Sequence, residues 1–288
     1  MLRKMLCKAG CALILLMLPM LVGCPSTKII VPPITESAAK ISLPGKFVWF
    51  DLFTTDMTAA ANFYGALFGW EDRRTNENDA SVKTFYHHGK PVANMIGRES
   101  IPGDSQWLAY MSVDDVDSAL EITEALGGSI HREAKDLPNR GRIGVAVDPQ
   151  KAAFAMVTSP VGDPLDVKFV FNRWLGCELW TTDVSGASDF YTKLVGYSVN
   201  VVDVHEKVQY RLLASQGHRR GGIVEIPWSD AAPEWVPYIA VESILATVTK
   251  AQELGGKLLL EPDMSVKQGH IAIIADPAGA IFGIQQLR

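Results

Sequence analysis

The chain has 288 residues, of which 48% are hydrophobic and 20% are charged, and its formal net charge is −5. These fractions are typical of a globular protein, and the length allows two domains that each bury a core. The negative charge argues against nucleic acid or an anionic membrane surface as the binding partner.

The N-terminus has the order of features found in a bacterial secretion signal. Basic residues precede a short apolar run at residues 11–22. This run is too short to be a good membrane span. It leads into Leu-Val-Gly-Cys at residues 21–24, which resembles the lipobox of bacterial lipoproteins. The resemblance implies cleavage before Cys24 and attachment of lipid to its sulfur.

We therefore expect a signal peptide at residues 1–23, followed by a lipidated Cys24 and a tether over residues 24–45. The lipid would anchor the protein to a membrane of the cell envelope. Because Pro25 rather than an aspartate follows the cysteine, the outer membrane, facing the periplasm, is favoured over the inner membrane. An ordinary secretory signal with a coincidental cysteine is the alternative.

The rest of the chain repeats itself with a period of 127 or 128 residues. Thr-Thr-Asp at residues 54–56 returns at 181–183, and Asp-Pro at residues 148–149 returns at 276–277. A period of this length indicates two copies of one domain, because solenoid repeats span only about 20–50 residues. The predicted boundaries are residues 46–160 for domain 1, 161–172 for a linker and 173–288 for domain 2.

Each domain is predicted to contain two β-α-β-β-β units. In domain 1, the β-forming residues 46–53 predict the first strand. Asp56 predicts the N-cap of a helix, whose apolar positions recur at helical spacing until Gly69. The later elements of the domain are expected as strands near residues 82–88, 91–97 and 107–113, a helix capped by Asp115, and strands near residues 130, 143–147 and 154–158.

This order of elements resembles the vicinal oxygen chelate (VOC) superfamily of glyoxalases, bleomycin-resistance proteins and extradiol dioxygenases. The resemblance rests on FYGALFGW at residues 63–70, on VDDVDSAL at residues 113–120, and on the DPxxAxF pattern at residues 148–154 and 276–282. It implies an α+β fold of two tandem VOC domains. In each domain, two β-α-β-β-β units would form a half-open barrel whose concave side binds a small ligand.

Members of the superfamily often hold a divalent metal on this concave side through His, Gln or Glu. The resemblance places the ligand positions at Trp49, Leu108 and Ala155 in domain 1, and at Gly176, Val236 and Gly283 in domain 2. None of these residues has an imidazole or a carboxylate, which such metal sites require. The sequence therefore predicts no metal site and no cofactor, and it identifies no catalytic residue.

The concave faces carry acidic and aromatic residues instead. Alternation along the first strand of each domain places an acidic residue among aromatic ones on a single face. The candidate ligand-binding residues are Trp49, Asp51, Phe53 and Tyr110 in domain 1, and Glu178, Trp180 and Tyr238 in domain 2. A buried carboxylate costs several kcal/mol without a partner. It is therefore either a polar anchor for a ligand or accepts hydrogen bonds from Tyr or Arg across the barrel. Arg142 and His270 are candidate partners, and the alternative for both is a solvated strand end.

Three functions remain open. The first is a metal-free, lipid-anchored protein that binds a small, partly aromatic molecule. The second is a metal-dependent lyase, isomerase or dioxygenase with displaced ligands. The third is a non-catalytic interaction scaffold whose pocket is filled by its own aromatic side chains. Because Gly176 stands in domain 2 where Trp49 stands in domain 1, we expect any ligand to prefer domain 2.

Overall fold

The computed structural model describes residues 31–36, 39–76, 79–98, 105–204, 208–228, 231–264 and 267–287. The predicted signal peptide, Cys24 and the first residues of the predicted tether lie outside the described residues. None of the helices in the described part of the chain combines the length and the apolar character that a membrane span requires.

Domain 1 contains two successive β-α-β-β-β units. Its elements are β1 (Phe47–Thr54), α1 (Met57–Phe68), β2 (Glu71–Asn76), β3 (Asp79–His87), β4 (Lys90–Gly97), β5 (Gln106–Ser112), α2 (Val116–Ala125), β6 (Ser129–Leu137), β7 (Gly141–Val147) and β8 (Ala153–Thr158). The strands form one sheet in the order β2-β3-β4-β1-β5-β8-β7-β6. Antiparallel pairing of β1 with β5 joins the two units. The sheet does not close, so it forms a half-open barrel.

Domain 2 repeats this architecture. Its elements are β9 (Trp174–Thr181), α3 (Val184–Val195), β10 (Ser198–Val204), β11 (Val208–Ser215), β12 (His218–Glu225), β13 (Glu234–Val241), α4 (Ile244–Glu253), β14 (Lys257–Leu260), β15 (Ile271–Ala275) and β16 (Ile281–Gln286). The sheet order β10-β11-β12-β9-β13-β16-β15-β14 matches that of domain 1 strand for strand. The predicted α+β fold of two tandem domains is confirmed.

The repeated Thr-Thr-Asp motif begins the first helix of each domain. The Oδ1 atom of Asp56 accepts hydrogen bonds from the backbone N–H groups of Thr58 and Ala59, at 3.0 and 2.8 Å. These groups have no acceptor within the helix, so the side chain stabilises the first turn. The helix ends at Gly69, whose φ of 71° is the left-handed conformation that favours glycine. Asp183 and Gly196 occupy the same positions around α3.

The helices of the two domains pack against each other, α1 on α4 and α2 on α3. One cluster of buried apolar residues spans both domains. Within it, the hydroxyl of Tyr64 donates to Oδ2 of Asp276 at 3.1 Å and accepts a hydrogen bond from Trp107 Nε1 at 3.0 Å. The matching group consists of Tyr191, Asp148 and Trp235, with corresponding distances of 3.0 and 2.8 Å. The repeated Asp-Pro turn thus holds one domain to the first helix of the other.

The face of each sheet opposite the helices is the concave face, and each has its own smaller apolar cluster. In domain 1 this cluster is formed by Ile34, Val48, Trp49, Leu108, Tyr110, Val145, Ala155 and Val157. In domain 2 it is formed by Trp180, Val236, Tyr238, Ile271 and Ile273. All the candidate site residues lie on these two faces or at their edges, so the predicted alternation of the strands is correct.

The end of the predicted tether packs onto domain 1. Val31, Ile34 and Leu43 are buried, and Ile34 belongs to the concave cluster of that domain. The backbone N–H of Leu43 also donates to Asp163 Oδ2 at 2.7 Å. The described part of the predicted tether, residues 31–36 and 39–45, therefore packs against domain 1. A few isolated apolar residues in a proline-containing segment give no periodic signal, yet each finds a buried position.

Candidate functional site

The centre of the concave face of domain 1 is the carboxylate of Asp51, which is 4% exposed. Its Oδ1 atom accepts hydrogen bonds from Trp49 Nε1 at 2.9 Å and from Asn94 Nδ2 at 3.0 Å. Its Oδ2 atom accepts one from the Tyr110 hydroxyl at 2.5 Å. Burial, together with the nearby charge of Asp51, raises the pKa of the Tyr110 phenol, which remains a donor. The predicted residues Trp49, Asp51 and Tyr110 thus come together.

The guanidinium of Arg140 covers this group. It lies 3.9 Å from the centre of the Trp49 ring, a cation–π distance. The residue stands between β6 and β7 and is only 2% exposed. All three guanidinium nitrogens are buried without a hydrogen-bond partner among the described residues. Burial lowers the pKa of Arg140, and the nearby charge of Asp51 offsets part of that effect.

Arg142, which the sequence offered as a partner for Asp51, has a different role. Its guanidinium is at the surface and binds Asp117, with an Nη2 to Oδ1 distance of 2.7 Å, and Asp136. The sequence left Arg142 open as either a partner of the buried carboxylate or a solvated strand end, and the structure shows the solvated strand end. The residue that approaches the buried carboxylate is Arg140, two positions earlier, because the turn between β6 and β7 directs it into the barrel.

Phe53 lies at the edge of the same face, next to further positive charge. The guanidinium of Arg98 lies over its ring, 4.6 Å from the centre, and the Nη2 atom of Arg98 is buried without a hydrogen-bond partner. Burial lowers the pKa of Arg98, and the charge of Arg132 lowers it further. The pKa of His131 falls for the same reasons, first through burial and then through these two arginines. This edge of domain 1 is therefore basic.

The matching carboxylate in domain 2 is Glu178, which is 5% exposed. Its Oε1 atom accepts a hydrogen bond from the Tyr210 hydroxyl at 2.6 Å and forms an ion pair with Lys267. Arg219 Nη2 lies 3.4 Å from the same oxygen. Burial alone would raise the pKa of Glu178, but Lys267 and hydrogen bonds from Tyr210 and Tyr238 lower it below its usual value. Glu178 is therefore ionised, and Lys267 neutralises its charge within the barrel.

Of the other predictions for domain 2, Tyr238 joins this cluster and Trp180 does not. Trp180 packs edge-to-face on Trp228, with ring centres 5.2 Å apart. His270, the suggested partner for Glu178, has a buried Nε2 atom with no hydrogen-bond partner among the described residues. Lys267, not His270, neutralises the carboxylate, so His270 does not take the partner role that the sequence offered as one alternative.

The glycines of the domain 2 barrel have two different roles. A side chain at Gly222 or Gly283 would collide with the rings of Tyr210 and Tyr238 respectively, so these glycines make room for the tyrosines. A Cβ atom at Gly176 would meet no atom within 4 Å. Gly176 lies opposite Tyr238 in the pairing of β9 with β13. Open space therefore adjoins the Glu178 cluster at the position that Trp49 fills in domain 1.

The described residues contain no group of three or more His, Cys, Asp or Glu side chains with the geometry to hold a metal ion. The side chains at the six positions named by the family resemblance offer no imidazole, thiolate or carboxylate. They are Trp49, Leu108 and Ala155 in one barrel, and Gly176, Val236 and Gly283 in the other. Trp49 uses its indole nitrogen as a donor to Asp51. These residues do not fit the divalent metal of the superfamily's enzymes.

Comparisons with known proteins agree with this architecture. The family model of the Glyoxalase/Bleomycin resistance protein/Dioxygenase superfamily matches residues 46–156. The Mycobacterium tuberculosis protein named "Putative glyoxylase CFP32" is 31% identical over 82% of this chain and 92% of its own length. The chain belongs to this superfamily. The anthracycline biosynthesis protein DnrV of Streptomyces peucetius, another relative, is 32% identical over 85% of this chain and 94% of its own length.

Solved structures of the superfamily share the fold at low sequence identity. The Mn(II)-bound glyoxalase from Novosphingobium aromaticivorans aligns with a TM-score of 0.60 and 16% identity, over 85% of this chain and 83% of that one. The 2,3-dioxygenase LapB from Pseudomonas sp. KL28 aligns with a TM-score of 0.58 and 14% identity, over 86% of this chain and 94% of that one. At such identities the likeness shows the fold and leaves the chemistry to the residues of the site.

Proposed function

We propose that this superfamily member binds a small, partly aromatic molecule on the concave face of domain 2. The open space beside Gly176 is the observation that carries the proposal. Apolar walls adjoin it, formed by Val236 and the ring of Tyr238. The ionised Glu178 and its partner Lys267 supply polar groups that fix orientation. A mostly apolar site with a few placed polar groups is typical of small-molecule binding.

Binding is proposed to need no metal. The divalent metal of the superfamily's enzymes is bound by imidazole nitrogen or carboxylate oxygen. The residues at the six ligand positions implied by the family resemblance supply neither. The nearest acidic groups, Asp51 and Glu178, already use their oxygens in hydrogen bonds and ion pairs. A metal-dependent lyase, isomerase or dioxygenase with displaced ligands is the competing function.

Elemental analysis of protein purified without a histidine tag or chelator separates these functions. We expect well below one divalent ion per domain, and no change in melting temperature when nickel, zinc, manganese or iron(II) is added. One bound ion per domain would instead return the protein to the metal-dependent enzymes.

An anthracycline is a suitable first ligand to test, because the relatives DnrV and DauV are named for anthracycline biosynthesis. Binding of daunorubicin would be followed through its own fluorescence. Gly176→Trp places an indole in the open space, as Trp49 does in domain 1, and is expected to weaken binding at least about tenfold, a loss of about 1.4 kcal/mol. Val201→Trp, at an exposed position of β10, adds the same side chain away from the site and is the matched control.

Unchanged affinity in Gly176→Trp would refute this location. If wild-type protein bound neither metal nor aromatic ligands, the interaction scaffold would become the better function. We also propose that the domains are held at a membrane of the cell envelope by lipid on Cys24, which would set this binding activity at the membrane surface.

A further inference from the structure

The least compensated charge in the described part of the chain is the guanidinium of Arg140. Buried charges are normally paired, since an unpaired one is costly. Arg220 follows that rule: its side chain is 2% exposed, and its Nη1 atom lies 2.7 Å from Asp166 Oδ1. Arg140 is also buried, but none of its three guanidinium nitrogens has a hydrogen-bond partner among the described residues. It requires a partner from outside this part of the protein.

The neighbouring carboxylate does not meet this need. Asp51 already accepts three hydrogen bonds, from Trp49, Asn94 and Tyr110. It influences Arg140 through charge but does not bond to it.

More positive charge lies nearby. Arg98 is close enough to Arg132 for their charges to interact, and its Nη2 atom is also unpartnered. Arg132 in turn interacts with Tyr110, the residue that Arg140 also faces. We refer to Arg98, Arg132 and Arg140 as the cationic cluster. With Asp51 as the opposing charge on this face, the cluster has an excess of positive charge.

We propose that the concave face of domain 1 is a site for a small carboxylate ligand and that Arg140 is the residue that anchors its carboxylate group. A carboxylate matches the planar fork of guanidinium donors, which binds it through two parallel hydrogen bonds. Trp49 and Phe53 hold arginine side chains against their rings, which fixes the orientation of the donors. Because the nitrogens of Arg140 are buried, the ligand reaches them only when the residues that cover this face move aside. This site is separate from the space beside Gly176 in domain 2.

Benzoate is the probe, and benzamide is its neutral analogue of the same shape. Isothermal titration calorimetry should show one benzoate bound per chain through Arg140, with benzamide much weaker. Arg140→Met is expected to weaken benzoate at least about 30-fold, because truncating one partner of a buried charge pair has effects of that size or more. Without ligand, Arg140→Met should change the melting temperature little, because loss of the cation–π contact with Trp49 is offset by removal of a buried charge that has no hydrogen bonds.

Arg142→Met is the matched control. It removes an arginine from the same hairpin, but one that is exposed and already paired with Asp117 and Asp136, so benzoate affinity should not change. Arg140→Lys keeps the charge without the fork and should bind benzoate at least about fivefold more weakly than wild type. If Arg140→Met does not fold, Arg140→Lys replaces it as the test of benzoate binding.

The proposal is overturned if wild type does not bind benzoate, if benzamide binds as well, or if the Arg140 variants bind benzoate like wild type. A much lower melting temperature of ligand-free Arg140→Met would also oppose it, because it would mean that the guanidinium stabilises the protein by itself. Gly176→Trp should not affect benzoate binding, so failure of the domain 2 proposal would be distinguishable from failure of this one.

Discussion

The hydroxyl of Tyr64 connects the two domains, and Tyr64→Phe removes it without changing the ring. In wild type, this hydroxyl donates to Asp276 and accepts from Trp107. The substitution leaves the Trp107 indole N–H and Asp276 Oδ2 buried at the domain interface. The other oxygen, Oδ1, keeps its hydrogen bonds from the backbone N–H groups of Ala278 and Ala280. The variant therefore loses one bond to a charged acceptor and one neutral bond.

The expected loss in free energy of unfolding follows from these two bonds. A hydrogen bond to a charged group contributes roughly 1.5–3 kcal/mol, and a neutral one about 1 kcal/mol. Tyr64→Phe should therefore lower the free energy of unfolding by about 2.5–4 kcal/mol, measured by urea denaturation. Burial already raises the pKa of Asp276, and the Tyr64 bond opposes that rise. Its loss should raise this pKa further.

Two comparisons make the experiment decisive. Tyr191→Phe removes the equivalent hydroxyl in domain 2, bonded to Asp148 and Trp235, and should give a loss of similar size. Tyr86→Phe is the control, because the Tyr86 ring stacks with Arg73 on the sheet surface and lies outside the domain interface. A loss below about 0.5 kcal/mol in both interface variants would refute the reasoning, since it would mean that these hydrogen bonds do not contribute to domain pairing.

Four further predictions test other parts of the molecule. Glu178→Gln should have a lower free energy of unfolding than wild type at neutral pH, measured by urea denaturation. Because the pKa of Glu178 is lowered in the folded state, this difference in free energy should shrink as pH falls below about 4. Asp56→Ala should lower the free energy of unfolding by about 1 kcal/mol in the same assay, through loss of the helix cap. Ile34→Ala should lower the melting temperature, because Ile34 is 5% exposed in the domain 1 cluster; an unchanged value would mean that residues 31–36 do not pack there in solution. Cys24→Ala should abolish labelling by radioactive palmitate in bacteria, and labelling that persists would exclude lipid on this residue.

The parts of the fold that the sequence predicted depend on local signals. The helix starts at Asp56 and Asp183 and the helix ends at Gly69 and Gly196 follow from capping chemistry within a few residues. Alternation along β1 and β9 was sufficient to place the buried acids among aromatic residues on one face, because successive strand residues point to opposite sides. The period of the repeat then gave the second domain from the first.

The missed residues lie in connections without periodic signal. Arg140 and Lys267 both stand between the second and third strands of the second unit of their domains, and Lys267 has a φ of 45°. Nothing local distinguishes them from surface residues, and their role depends on how the barrel curves over β1 or β9. The same limit applies to Asp148 and Asp276, whose motif was recognised but whose partners are tyrosines of the other domain.

The two copies have kept the same interface between their helices but have different concave faces. In domain 1, the indole of Trp49 donates to the short side chain of Asp51 and supports Arg140. In domain 2, the equivalent residue Gly176 has no side chain, and the longer side chain of Glu178 contacts Tyr210 and Lys267 instead. The first arrangement leaves a cation without a partner, whereas the second pairs its charges and leaves space. A charged group and an apolar ring have opposite requirements for burial, so the two proposed sites would take ligands of different chemistry.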